Sequence, residues 1–290
     1  MKRILLLSSL LVVALTAALP AHAASTPISN PRLDAPNVAQ DIVSAGRLRL
    51  QSQRLAKLYL QIGLGLQTDT ARRQLSKGNT QFDADLFDLS RYSRNPKTQK
   101  TLAHTVDLWV ELKAVLNTPY GIESMKRVNY LSEEMMITTG KLTMQIETEA
   151  ETPVGRLLDL SLRQSMLAQR LAKLYLMAQA GDKSRGRLVD LEQARKEFAT
   201  AFNELSSARE NSPANRDALE LAKTQWVFFE NAIQEMNRGE TGNPQHVATT
   251  SERIMEVLDA VSTQYAQDYA AASSTNTARL AGASTSTRRN

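Results

Sequence analysis

The chain has 290 residues, 42% of them hydrophobic and 22% charged, with 35 lysines and arginines against 30 aspartates and glutamates. That is a globular composition long enough for roughly two domains of about 150 residues, and a net charge of +5 is too small to argue for nucleic acid. Cysteine is absent, which excludes thiolate catalysis, disulfides, Cys-ligated zinc, iron–sulfur clusters and covalent haem.

In chain order, Lys2 and Arg3 precede an apolar run from Ile4 to Leu19, and Ala21-His22-Ala23 forms an A-x-A cleavage site. This pattern predicts a secretory signal peptide over residues 1–23 and a mature protein in the periplasm. No Cys follows for lipid attachment, and the run is short for a membrane span. Residues 24–37 are rich in Ser, Pro and Asn and read as a flexible leader, and residues 271–290 read as a flexible tail. Between them Gly and Pro are scarce and helical periodicity dominates. Breakers near Gly78-Asn79, Asn95-Pro96, Pro119-Tyr120-Gly121, Thr152-Pro153, Gly181 to Gly186, Ser212-Pro213 and Gly242-Asn243-Pro244 divide the stretch into eight helical segments. Thr152 with Pro153, and Ser212 with Pro213, have the N-cap and first-turn proline of helix starts.

The two halves resemble each other. Gln53-Arg54-Leu55-Ala56-Lys57-Leu58-Tyr59-Leu60 recurs as Gln169-Arg170-Leu171-Ala172-Lys173-Leu174-Tyr175-Leu176, 116 positions later. Phe82, Leu86 and Leu89 meet Phe198, Phe202 and Leu205 at the same offset. Pro96 and Trp109 match Pro213 and Trp226 at 117, and Ser132-Glu133 matches Ser251-Glu252 at 119. An ordered series of matches with a slowly drifting offset predicts a duplicated helical module, over residues 38–150 and 151–270. The fold class is therefore all-α, with four helices in each repeat.

In the repeated first helix, Leu48, Leu50, Leu55, Leu58 and Ile62 form an apolar stripe. Arg47, Arg54 and Lys57 fall on another sector, and Arg49 points elsewhere, near Ser52 and Gln53. Taken singly, each arginine reads equally well as a solvated helix residue. The pairs Arg47/Arg163, Gln53/Gln169, Arg54/Arg170 and Lys57/Lys173 are nevertheless retained in both halves. Tyr59, Tyr175, Trp109 and Trp226 read as core packing.

The segment Gly46-Arg47-Leu48-Arg49-Leu50-Gln51-Ser52-Gln53-Arg54-Leu55-Ala56-Lys57 resembles the first-helix motif of the type IV pilus methyl-accepting chemotaxis transducer N-terminal domain. It is also similar to the corresponding box of periplasmic nitrate/nitrite sensor kinases. Leu162 to Lys173 is a second, weaker instance. The resemblance implies antiparallel four-helix bundles that sense a small anion held between two first helices, with the gripping arginine falling on Arg49. It also implies two bundles side by side as a pseudo-dimer, because the link from Ala150 to Pro153 is short and such links join antiparallel neighbours. The competing arrangement is an end-to-end rod with one helix running through Pro153. The anion site expected from this resemblance comprises Arg47, Arg49, Gln53, Arg163, Ser165 and Gln169; Ser165 stands where a symmetric clamp has a second arginine.

No enzyme is expected. His104 and His246 are far apart and lie in no metal-ligand pattern, no phosphate-binding Gly-rich loop is present, and Glu133-Glu134 reads as a solvated acidic patch. No metal or cofactor is implied. Two functions remain: an oxyanion-binding sensor module for nitrate or nitrite that presents its ligand to a membrane receptor or sensor kinase, without a span or output module of its own, or a periplasmic scaffold that kept the bundle and lost the ligand.

Overall fold

The computed structural model of the chain describes residues 38–90, 95–149, 155–240 and 242–286, with side chains described in all of them except 149 and 272–286. The expected signal peptide, the leader and the Thr152-Pro153 helix start lie outside the described residues. Among the described residues there are eight helices and no strand: α1 (Val38–Gly63), α2 (Thr68–Ser90), α3 (Pro96–Leu116), α4 (Ile122–Glu149), α5 (Arg156–Gln179), α6 (Arg185–Ser207), α7 (Pro213–Asn237) and α8 (Pro244–Ser286).

The helix ends follow local chemistry. Asn95 accepts a hydrogen bond from the Lys97 amide at 2.8 Å, and Ser212 accepts one from the Asn215 amide at 3.1 Å. In both helices proline follows the cap, where a missing N–H costs nothing. α5 starts at Arg156, with Gly155 in the cap position and no side-chain cap bond.

Two expectations are corrected. α2 runs straight through Gly78, and the break falls earlier, at Gly65 (φ 71°) and Gln67 (φ 48°). Gly78 is an interface residue, since a Cβ there would lie 2.7 Å from Leu55 Cδ2 and 3.1 Å from Gln51 Oε1 on α1. A helical glycine costs roughly 0.5–1 kcal/mol against alanine, and here it permits close approach of two helices. At the other end α8 continues to Ser286, where a flexible tail was expected beyond 270. Alanine is the best helix former, and Ala270, Ala271 and Ala272 carry the backbone past Tyr265, the last residue of the buried core.

α1 packs against α2, α4 and α5, while α5 packs against α6, α8 and α1; α3 lies on α4 and α7 on α8. Matching aromatic pairs join the outer helices, with Phe82 stacked on Trp109 at 4.0 Å between ring centroids and Phe198 on Trp226 at 4.3 Å. The two central helices, α1 and α5, are buried along most of their length. They run in the same direction. At one level Gly46 faces Leu162, and further along Lys57 and Gln169 both bond Ser251 while Lys173 and Gln53 both bond Ser132. The expected side-by-side arrangement is thus the one present, with the seam between α1 and α5 at its centre.

Candidate functional site

The seam is closest where Gly46 meets Leu162. A Cβ on Gly46 would sit 2.8 Å from Leu162 Cδ1 and 3.2 Å from its Cβ, so the missing side chain on one helix accommodates the leucine on the other. One turn on from Gly46, Arg49 enters the same seam from α1. Its Nη2 donates to Asp159 Oδ1 on α5 at 3.4 Å, a long contact with a carboxylate that is half exposed. Its Nε is buried without a hydrogen-bond partner. Gly140 on α4 leaves room beside it, because a Cβ there would lie 3.7 Å from Arg49 Cδ and 3.9 Å from Nη1. Burial pulls the guanidinium below its ordinary value, Asp159 opposes that, and the nearby Arg163 charge adds to the lowering. A buried guanidinium with spare donors and weak pairing is an electrostatic cost that an anion would relieve.

The other expected site residues divide. Arg47 turns away from the seam to Asp85 on α2, with Nη2 to Oδ1 at 2.6 Å and Nε to both oxygens at 3.1 Å. Burial pushes the Asp85 carboxyl up and the arginine offsets only part of this. Arg163 makes an exposed pair with Glu197 at 3.3 Å. Gln53 and Gln169 are fully buried and do equivalent work: each donates to a carbonyl of its neighbouring helix, Ser132 O at 2.8 Å and Ser251 O at 2.9 Å. Each also leaves its amide oxygen without a partner. Ser165 is buried and its hydroxyl donates back to Ser161 O at 3.3 Å. The structure therefore brings Arg49 to the seam alone among the expected arginines, with Arg163 near enough to be felt.

Two charge clusters beside the seam were not anticipated, and they correct the reading of Glu133 as solvated. Arg54 and Lys57 on α1 both bind Glu252 on α8, each with one contact at 2.6 Å, and Gln74 on α2 donates to the same carboxylate at 3.1 Å. Reciprocally, Arg170 and Lys173 on α5 bind Glu133 on α4 at 2.8 and 2.6 Å. Lys57 and Lys173 are essentially inaccessible to solvent. Each cluster holds two cations and one carboxylate. Burial by itself would raise both carboxyls, yet the adjacent ammonium and guanidinium groups hold Glu133 and Glu252 at about 2. Burial lowers Lys173 to about 8 against the pull of Glu133, with the nearby Arg170 and Arg187 charges adding to the lowering. The recurrence of Ser-Glu at positions 132–133 and 251–252, alongside Arg-x-x-Lys in both first helices, was the available signal for this crossed pairing.

Among the described residues no group of three or more His, Asp or Glu is placed to hold a metal ion, and no helix is long and apolar enough to cross a membrane. No curated protein and no solved structure matches the chain. Residues 34–128, spanning α1 to the first turns of α4, match the family described as type IV pili methyl-accepting chemotaxis transducer N-term. The seam arginine, the crossed Glu clusters' two cations on α1 and the Gly78 contact all fall inside that match, so the similarity to this family covers residues 34–128 of the 290.

Proposed function

We propose that this protein is a sensory ligand-binding module for a small oxyanion such as nitrate or nitrite, held at the α1/α5 seam by Arg49. The observation that carries the reading is the Arg49 guanidinium: buried, with Nε unpartnered and its one side-chain hydrogen bond a long contact to Asp159. A planar fork of N–H donors suits a planar oxyanion, and a bound anion would replace Asp159, which has the exposure to swing aside. The family match supports a role in signalling rather than catalysis, since that family is a sensory domain. The Lys2-Arg3 to Ala23 segment supports a periplasmic location. A membrane receptor or sensor kinase is the partner this reading requires. The test is oxyanion binding by the purified protein and its loss in Arg49→Ala. Absence of binding in the wild type would favour the scaffold reading, to which Ser165 at the position matching Arg49 already lends support.

A further inference from the structure

A cavity lies between α3 and α4, away from the seam, and Gly140 is not among its lining residues. Its volume is about 1080 Å³, just above the usual range of small-molecule sites, and it is open to solvent. α3 contributes Lys97, Lys100 and His104, α4 contributes Lys141, and among the described residues no acidic one lines it. Among the described residues none of the three lysines has an ion-pair partner. The floor carries an unusual hydroxyl. Thr101 and Thr148, which also line the cavity, donate to backbone carbonyls one turn back, at 3.1 and 2.8 Å. Thr98 is 1% exposed and its Oγ1 has no partner, and the Oε1 of Gln145 on the facing helix is buried and unpartnered too. Buried polar groups in folded proteins are nearly always paired, so two orphans in one basic cavity point to a ligand that completes them.

The lining is not a by-product of the bundle. At the matched offsets of 117 and 119, Lys97, Lys100, His104 and Lys141 correspond to Ala214, Asp217, Leu221 and Ala260 on α7 and α8. The positive lining is confined to one half of the molecule. Its length also limits the occupant. Residues 97–104 and 137–148 span about 10 and about 16 Å at 1.5 Å per residue, the length of a small molecule rather than of a docked helix.

We propose that the α3/α4 cavity is a second binding site, distinct from the α1/α5 seam, for a hydroxylated organic polycarboxylate. The carboxylates take Lys97, Lys100, Lys141 and the Thr98 hydroxyl, and the ligand hydroxyl donates to Gln145 Oε1. The carbon skeleton lies on the exposed side chains of Ile137 and Met144. Ammonium groups act as point charges on flexible stems, so lysines suit a non-planar polyanion that offers no fixed bidentate edge.

The test is calorimetry of the purified full chain with citrate, and with sulfate as a charge control, at two salt concentrations. Citrate binds in preference to sulfate. Lys100→Ala and Lys141→Ala each weaken it about tenfold without loss of fold, because both side chains are exposed. Thr98→Val is the decisive variant: removing an unpaired buried hydroxyl raises the melting temperature of the free protein while citrate affinity falls. Arg49→Ala leaves citrate binding unchanged, which separates this site from the seam. Absence of citrate binding at millimolar concentration, binding no tighter than that of sulfate, or full affinity in Lys100→Ala/Lys141→Ala or Thr98→Val would each overturn the proposal.

Discussion

Replacing Glu252 with alanine isolates the energetics of the crossed clusters. The substitution removes one carboxylate and strands Arg54 and Lys57, the latter with no solvent access, at the α1/α8 contact where three side chains converge on the two carboxylate oxygens. A carboxyl held at about 2 against an ordinary 4.5 corresponds to about 3 kcal/mol favouring the ionised, paired form at neutral pH. Truncating one partner of a buried pair costs roughly 3–5 kcal/mol, because the cations are left uncompensated. The two estimates agree, and they amount to a large share of the roughly 5–15 kcal/mol that stabilises an ordinary domain. Urea denaturation monitored by circular dichroism gives the number directly. A second variant, Glu252→Ala with Lys57→Met, removes the stranded ammonium and should recover much of the loss. Glu133→Ala should behave alike, with Lys173→Met as its partner. A cost below about 1 kcal/mol, in the range of exposed pairs, would refute the claim that these clusters are buried locks between α1 and α8 and between α5 and α4.

The same carboxylates make the protein acid-sensitive in a defined window. Their folded values lie at about 2 and their ordinary value is 4.5, so the unfolded chain binds more protons in between. Stability is therefore complete above about 4.5 and falls as pH drops towards about 2, by about 3 kcal/mol for each group. Denaturation midpoints across that range check this, and Glu133→Gln with Glu252→Gln should flatten the profile. At the seam, Gly46→Ala brings a methyl against Leu162 and should destabilise by about 1–2 kcal/mol, the overpacking cost exceeding the gain in helix propensity. Leu162→Ala in the same chain should reduce the penalty, and a stabilised Gly46→Ala single variant would contradict the packing.

Much of this architecture was legible in the sequence, because its signals were local or repeated. Eight helices followed from periodicity and breakers, Ser212-Pro213 marked a real cap, and the aromatic matches Phe82/Phe198 and Trp109/Trp226 identified equivalent core stacks. The short link near Pro153 pointed to parallel first helices in contact. Gly78 misled because a glycine that ends a helix and one that admits a neighbouring helix look alike in sequence; only the Leu55 contact distinguishes them. Glu133 misled for a related reason. Its partners Arg170 and Lys173 lie 37 and 40 positions away, beyond any helical periodicity, and only the matched Ser-Glu pairs hinted at them. Among the candidate anion residues, azimuth separated Arg49 from Arg47 correctly, but it does not reveal that Asp85 occupies Arg47 and that Glu197 occupies Arg163.

Calorimetric titration of nitrate and nitrite into wild type, Arg49→Ala, Arg49→Lys and Asp159→Asn tests oxyanion sensing at the seam most directly. Micromolar binding needs about 8 kcal/mol, which two or three charge-assisted hydrogen bonds of roughly 1.5–3 kcal/mol with further neutral donors can supply. Arg49→Ala should lose about 2–5 kcal/mol of binding with helicity intact, and Arg49→Lys should bind poorly because an ammonium lacks the planar fork. Asp159→Asn should bind more tightly, since the anion no longer has to displace a carboxylate from Nη2. Wild-type heat that survives undiminished in Arg49→Ala, or no heat with any small oxyanion, would contradict the assignment of the seam as the sensing site.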